Sequence, residues 1–448
     1  MENNALKQYT DLYTAHRELI DSHSAAPLNV LRPEALDSLL SHPLPKKGSE
    51  NYEHTDLESV LAPDYGLNLA RIPLDVDPSR SFQCGVPTLS SAIFMLINDS
   101  WGETEKSRKL LPEGVEVCSL CRKAKEDPEE VARYYGKLAD ISNPIVALST
   151  LLAQDGLWLK IGKGVKLDRP LQLVNILQNL SPLMAIRRLV IVVEEDAEAR
   201  LLICDHTQNH EIDMLGVQTV EIFAGRNSHF DYYDLEESGE KTHRLNSLYL
   251  RQEEGSNVMI DGITLFNGIT RNEYFCRFVG EHSELHLYGM GIEDSERKLD
   301  TYSVITHEVG NCHSDELFKY VVDDDAEGAF AGLIYVSPGA QKTEAYQSNR
   351  NLIGHPKARM FSKPQLEIYN DDVKCSHGTA IGQLDELQMF YMRTRGIDES
   401  TARLLLKQAF MADVINGVRL SILRDRLQML VERRFAGELH SCADCGGC

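Results

Sequence analysis

Ser228-His229-Phe230-Asp231-Tyr232, Ser256-Asn257-Val258-Met259-Ile260 and Ser283-Glu284-Leu285-His286-Leu287 open alike: a small residue leads and apolar residues then alternate. Ala197-Glu198-Ala199-Arg200-Leu201 precedes them in the same form, and Ala326-Glu327-Gly328-Ala329-Phe330 follows. Alternation with a period of two places one set of side chains on one face of a strand. The five starts lie 31, 28, 27 and 43 residues apart. The first three intervals suit one turn of a β-solenoid, in which each coil stacks on the last, and the fourth implies an insertion. A β-sandwich with coincidental spacing is the alternative reading.

Outward from these repeats the texture is uniform. Residues 151–384 consist of apolar stretches rich in Val, Ile, Leu, Tyr and Phe, separated by Gly, Asn, Asp and Glu clusters, which predicts strand after strand. Residues 1–150 read as a mainly helical N-terminal domain, with helices expected over Asp127 to Ala139 and Asn143 to Leu152; Pro144 suits a first helical position. Ser90 to Leu96 gives a weak pattern. Residues 385–448 read as a C-terminal helical domain with a Cys-rich tail. There Asp385 and Gln388 resemble a capping pair, Leu387, Phe390 and Tyr391 share a face until Gly396, and further helices start near Ser400 and Leu420. These helices are expected to cap the open end of the solenoid, to offer a docking face, or both. The expected fold class is therefore mainly β, a solenoid core flanked by helical domains.

With 448 residues, 42% of them hydrophobic, the chain can bury a large core. A net charge of -22 repels nucleic acid and anionic lipid, and no basic patch offsets it. No basic segment followed by an apolar run opens the sequence, and the stretch Leu189 to Val193 stops at Glu194-Glu195, so neither export nor a membrane span is expected. Ten irregularly spaced cysteines then read as reduced thiols in a cytoplasmic protein. Gly156 to Gly164 departs from a phosphate loop: five residues rather than four precede Gly162-Lys163, and Gly164 replaces the magnesium-binding Ser or Thr. No ATP site is expected, and neither a nucleophile elbow nor a zinc-protease helix is present.

The segment Pro364-Gln365-Leu366-Glu367-Ile368-Tyr369-Asn370-Asp371-Asp372-Val373-Lys374-Cys375-Ser376-His377-Gly378-Thr379-Ala380-Ile381-Gly382, followed by Phe390-Tyr391-Met392-Arg393-Thr394-Arg395-Gly396-Ile397, resembles the signature of the SufD family. Gln341-Lys342-Thr343 with Gln347, Asn349, Arg350, Asn351 and Leu352 resembles the same family, as does the stretch from Asp155-Gly156-Leu157-Trp158 to Arg169-Pro170. The resemblance spans roughly residues 110 to 435. It implies a right-handed parallel β-helix between helical domains, and a non-catalytic scaffold subunit for iron-sulfur cluster assembly. It further implies pairing with a SufB-like subunit, docking of a SufC-like ATPase on the C-terminal helices, and a homodimer when the chain is alone.

Within the signature, Ser376, Gly378 and Ala380 share one strand face, so Cys375 and His377 are expected to point outward on the other, about 7 Å apart. Thiolate and neutral imidazole are ligands that iron and its clusters accept, and two of them leave a site that a second subunit would complete. The resemblance implies that His377, with Cys375, takes part in a transient iron-sulfur cluster at the SufB interface. The alternatives are a buried pair that fixes the last coil, hence a purely structural partner of SufB, and a carbohydrate-acting solenoid enzyme with paired acids. Cys118 and Cys121 have knuckle spacing without a second ligand pair and are expected to be structural. His440, Cys442, Cys445 and Cys448 crowd the tail, as an accessory sulfur or metal site or as an appendage without a required role.

Overall fold

The computed structural model describes residues 5–72, 92–103 and 105–438. Ser90, Ser91 and the cysteines of the tail lie outside these residues; Ala92–Ile97, from the weakly patterned segment, is a strand.

Two sheets face each other, one of ten strands and one of nine. From the fourth strand on, consecutive strands alternate between the sheets, so a coil takes one strand from each wall. Pairing is parallel, except for the antiparallel contacts of Ala92–Ile97 with Ser100–Glu103 and of Val115–Ser119 with Gly156–Ile161. On the ten-stranded wall the strands starting at Glu198, His229, Asn257, Glu284, His313, Glu344 and Lys374 stack in register. The chain is a parallel β-solenoid, as its spacing predicts. The interval of 43 residues is not an insertion, however. Ala326 leads Glu327–Val336, a strand of the opposite wall, so the fifth opening belongs to the other half of a coil.

The leading small residue has a steric cause. Asp196, Asn227, Gly255, His282, Asn311 and Lys342 turn the corner with φ between 54° and 67°, where Asn, Asp and Gly are tolerated best. The next residues, Ala197, Ser228, Ser256, Ser283, Cys312 and Thr343, are buried to 1% exposure or less where successive corners stack. A bulky side chain would hold the coils apart. The alternating residues that follow, including Phe230 and Tyr232, Val258 and Ile260, Leu285 and Leu287, fill the lumen between the walls.

Helices cover the outer faces. Helix Pro144–Leu152 is capped by Asn143, whose side chain accepts from the amides of Ile145 and Val146. It packs with Leu6, Tyr9 and Leu57 against Met184, Ile186, Leu215 and Leu245 on the nine-stranded wall. The helix expected over Asp127 to Ala139 is shorter, Pro128–Tyr134. Gly136 takes a φ of 67°, and the buried Glu221 carboxylate accepts from the amides of Gly136, Leu138 and Ala139, holding that stretch out of the helix. Helices Glu399–Gly417 and Ser421–Phe435 lie on the ten-stranded wall, with Met411, Val414, Ile415, Leu423 and Leu427 packed on Tyr233, Met259, Met290 and Val321. They bind the side of the solenoid, not its end. The expected cap is absent from its place because the apolar outer face of the wall, with the Lys319 ammonium bound to the Phe410 carbonyl at 2.8 Å, draws the helices there.

Candidate functional site

The last coil consists of Arg359–Ile368 on one wall and Lys374–Gly382 on the other, each the terminal strand of its sheet. Among the described residues each has one ladder partner, and no strand neighbours its outer row of backbone donors and acceptors. Both strands are largely exposed, in contrast to the buried coils before them.

Lys374–Gly382 pairs in parallel with Glu344–Ile353, placing Cys375 beside Ala345, His377 beside Gln347 and Thr379 beside Asn349. Neighbours in a parallel ladder project to the same side. Ala345 is fully buried in the luminal cluster and Cys375 packs against that cluster. Gln347 and Asn349 are buried as well, at 3% and 0% exposure. Cys375 and His377 therefore face the lumen, which corrects the outward orientation expected from the small residues. Ser376, Gly378 and Ala380 instead continue the outer face of Tyr346, Ser348 and Arg350. His377 is nevertheless exposed, because among the described residues no coil stacks above it and the lumen opens there. Cys375 is half-buried, and burial raises its thiol above the usual range, which favours the neutral thiol.

Beneath the mouth the lumen turns polar. Gln347 Nε2 donates to Glu316 Oε2 at 2.6 Å, and Ser303 donates its hydroxyl to the other oxygen of that carboxylate. Glu316 is fully buried, and loss of water pushes its carboxyl up to about 7, with the Ser303 and Gln347 hydrogen bonds opposing. Beside it, Thr379 donates to Ser362 at 2.6 Å and Ser362 to Asn349 Oδ1 at 2.6 Å, and Asn349 and Asn351 join amide to amide. These luminal groups carry no role in the sequence reading. Their signal is an alternation: Gln347, Asn349 and Asn351 continue the inward row of Ala345, and Glu316 interrupts the inward row that continues as Phe318 and Tyr320.

The other expected groups lie elsewhere. Cys118 and Cys121 are buried in an apolar cluster with Trp158 and Val190, and desolvation raises the Cys118 thiol to about 11. Among the described residues no group of three or more His, Cys, Asp or Glu side chains is arranged to hold a metal ion. Gly156–Ile161 is a strand. Leu387, Phe390 and Tyr391 stand 78%, 68% and 59% exposed on helix Glu386–Thr394, whereas Met389 faces inward. No helix among the described residues is long and apolar enough to cross a membrane.

A parallel solenoid with helices on both walls and an uncovered last coil bearing a luminal Cys-x-His pair defines the class of protein. Residues 176–410 match the core domain of SufBD proteins of the SUF system for iron-sulfur cluster assembly, and residues 3–173 match the SufBD N-terminal region; the chain belongs to the SufBD family. Within it the chain is similar to the iron-sulfur cluster assembly protein SufD of Escherichia coli, at 26% identity over 97% of this chain and 98% of that one. It is 28% identical to an iron-sulfur cluster assembly SufBD family protein of Synechocystis over 90% of both chains. It is also 24% identical to the chloroplastic protein ABCI7 of Arabidopsis thaliana, over 90% of this chain and 85% of that one.

Proposed function

We propose that this chain is the scaffold subunit that presents His377 to a nascent iron-sulfur cluster while a SufB-like subunit docks on its open last coil. The carrying observation is that His377 is exposed at the mouth of a solenoid whose two terminal strands have no further partner among the described residues. A neighbouring chain that lies against this end satisfies the free edges and brings its own ligands to the imidazole. The cluster is cargo under construction, and the incomplete ligand set suits cargo that must leave. Cys375, half-buried and held as a neutral thiol, is the weaker ligand and helps to seat the strand. We assign the energy-coupled step to a SufC-like ATPase docked on the exposed Leu387, Phe390 and Tyr391, and no catalytic step to this chain.

The test is co-expression with SufB-like and SufC-like chains, anaerobic purification, and iron and sulfide analysis. His377→Ala is expected to leave the complex assembled and to abolish most of its cluster loading. Undiminished loading would leave a purely structural partner as the correct reading.

A further inference from the structure

The amide of Gln347 is held in one orientation. Glu316 and Gln347 are neighbours in adjacent strands, and Glu316 Oε2 accepts from Gln347 Nε2 at 2.6 Å. In its ionised form Glu316 accepts and cannot donate, so with the carboxylate deprotonated the nitrogen of the amide faces Glu316, toward the buried coils. The carbonyl oxygen then faces away from Glu316, toward the last strand. That oxygen, Gln347 Oε1, is buried and has no hydrogen-bond partner among the described residues, in a residue 3% exposed.

The opposite wall makes room for this arrangement. A Cβ at Gly332 would lie 2.3 Å from Gln347 Nε2 and 2.9 Å from Ser303 Oγ, so glycine there leaves the space that the amide and hydroxyl occupy. Ser303, Glu316 and Gln347 thus form a chain fixed from the inside out, ending in an acceptor that lacks a donor. The next residue in register is His377, about 4.8 Å along the ladder.

Resting on the proposed role of His377, we infer that Gln347, locked by Glu316, is a positioning residue for that imidazole: its carbonyl oxygen accepts the proton of one ring nitrogen and leaves the lone pair of the other free for iron. A metal-bound histidine is ordinarily fixed through its second nitrogen in this way, and loss of such a partner costs on the order of 10- to 100-fold in affinity or activity. His377 is exposed, so its ring has room to turn.

Nitrogen chemical shifts of ¹⁵N-histidine in the full-length chain report the tautomer, with His377→Ala to assign the signal. The wild-type imidazole is expected to be held as one tautomer. Gln347→Met, which keeps the length but removes the acceptor, is expected to release it to a mixture, and Gln347→Glu, whose carboxyl shares one proton with Glu316 and keeps an oxygen acceptor, to restore a single form. Gly332→Ala, which displaces the amide without removing it, is expected to act like Gln347→Met and provides the measurement if that variant fails to fold. In the co-purified complex, iron and sulfide loading is expected to fall at least tenfold in Gln347→Met and to recover in Gln347→Glu. An unchanged tautomer in both Gln347→Met and Gly332→Ala overturns the positioning role, and leaves His377 in its own role if His377→Ala still abolishes loading. Undiminished loading in His377→Ala removes that role and the inference with it.

Discussion

Arg188 Nη2 meets Glu221 Oε2 at 2.8 Å with neither side chain exposed to solvent. Thr150 accepts a second Arg188 hydrogen bond at 2.7 Å, and the Glu221 carboxylate also gathers the three amides of the loop after Tyr134. The pair ties the N-terminal helices to the nine-stranded wall. Breaking one side of a buried pair strands a charge, at roughly 3–5 kcal/mol, whereas removing both can be close to neutral. Urea denaturation should show Glu221→Gln destabilised by about that amount. Arg188→Met combined with Glu221→Gln should recover a substantial part.

Asp261 is buried between Met259 and Ile263 on the face under the C-terminal helices, and neither carboxylate oxygen has a hydrogen-bond partner among the described residues. Desolvation raises its carboxyl from 3.8 to about 7. The folded chain therefore keeps a proton that the unfolded chain releases. Stability falls as pH rises from about 4 to 7 and levels above that, by on the order of a few kcal/mol at most. Thermal unfolding should show Asp261→Asn gaining over the parent at pH 8 and gaining little at pH 5. A constant difference across the range would contradict this.

Leu387, Phe390 and Tyr391 contribute little to the stability of the isolated chain because most of each side chain is in water. Replacing all three by Ser should shift the unfolding free energy by less than about 1 kcal/mol. The same variant should weaken binding of the SufC-like ATPase by at least tenfold in a titration monitored by calorimetry, as expected for an aromatic anchor cluster. Unaltered affinity would move the docking site elsewhere.

Cys375 offers a chemical test of its orientation. Its raised thiol and partial burial reduce both thiolate and access, so iodoacetamide at pH 8 should modify it more slowly than a free cysteine. Mass spectrometry of the peptide over time measures this, and Cys375→Ala should cost less cluster loading than His377→Ala. Faster labelling than the free amino acid would mean that the thiol faces solvent.

The solenoid was legible because a corner residue with positive φ followed by a small buried residue recurs at six successive corners of the ten-stranded wall, leaving a mark in the sequence such as Asn227-Ser228 or Gly255-Ser256. The supposed insertion arose because Asp324, with a φ of 50°, and Ala326 two residues on give one strand of the opposite wall a similar opening, and sequence spacing does not say on which wall Ala326 starts. Amphipathic helices announced an apolar stripe through Val414, Ile415 and Leu427 but not the surface that receives it, which depends on Met259, Met290 and Val321 from distant coils. The inward orientation of His377 was hidden for a related reason. Small residues usually mark the packed side of a strand, yet in the last coil the inner side is where Gln347 and Asn349 lie, and it is already polar.

The unequal support of the last coil has a dynamic consequence. Every earlier strand of the parallel ladder on its own wall is zipped on both edges, whereas Lys374–Gly382 is held along one among the described residues. Fraying starts at such a margin, and backbone amides there exchange with solvent before the rest. The imidazole at the margin therefore belongs to a weakly supported strand, and if a second chain closes over it as proposed, the solitary subunit is expected to hold iron less well than the assembled one, which would acquire its rigidity together with its partner.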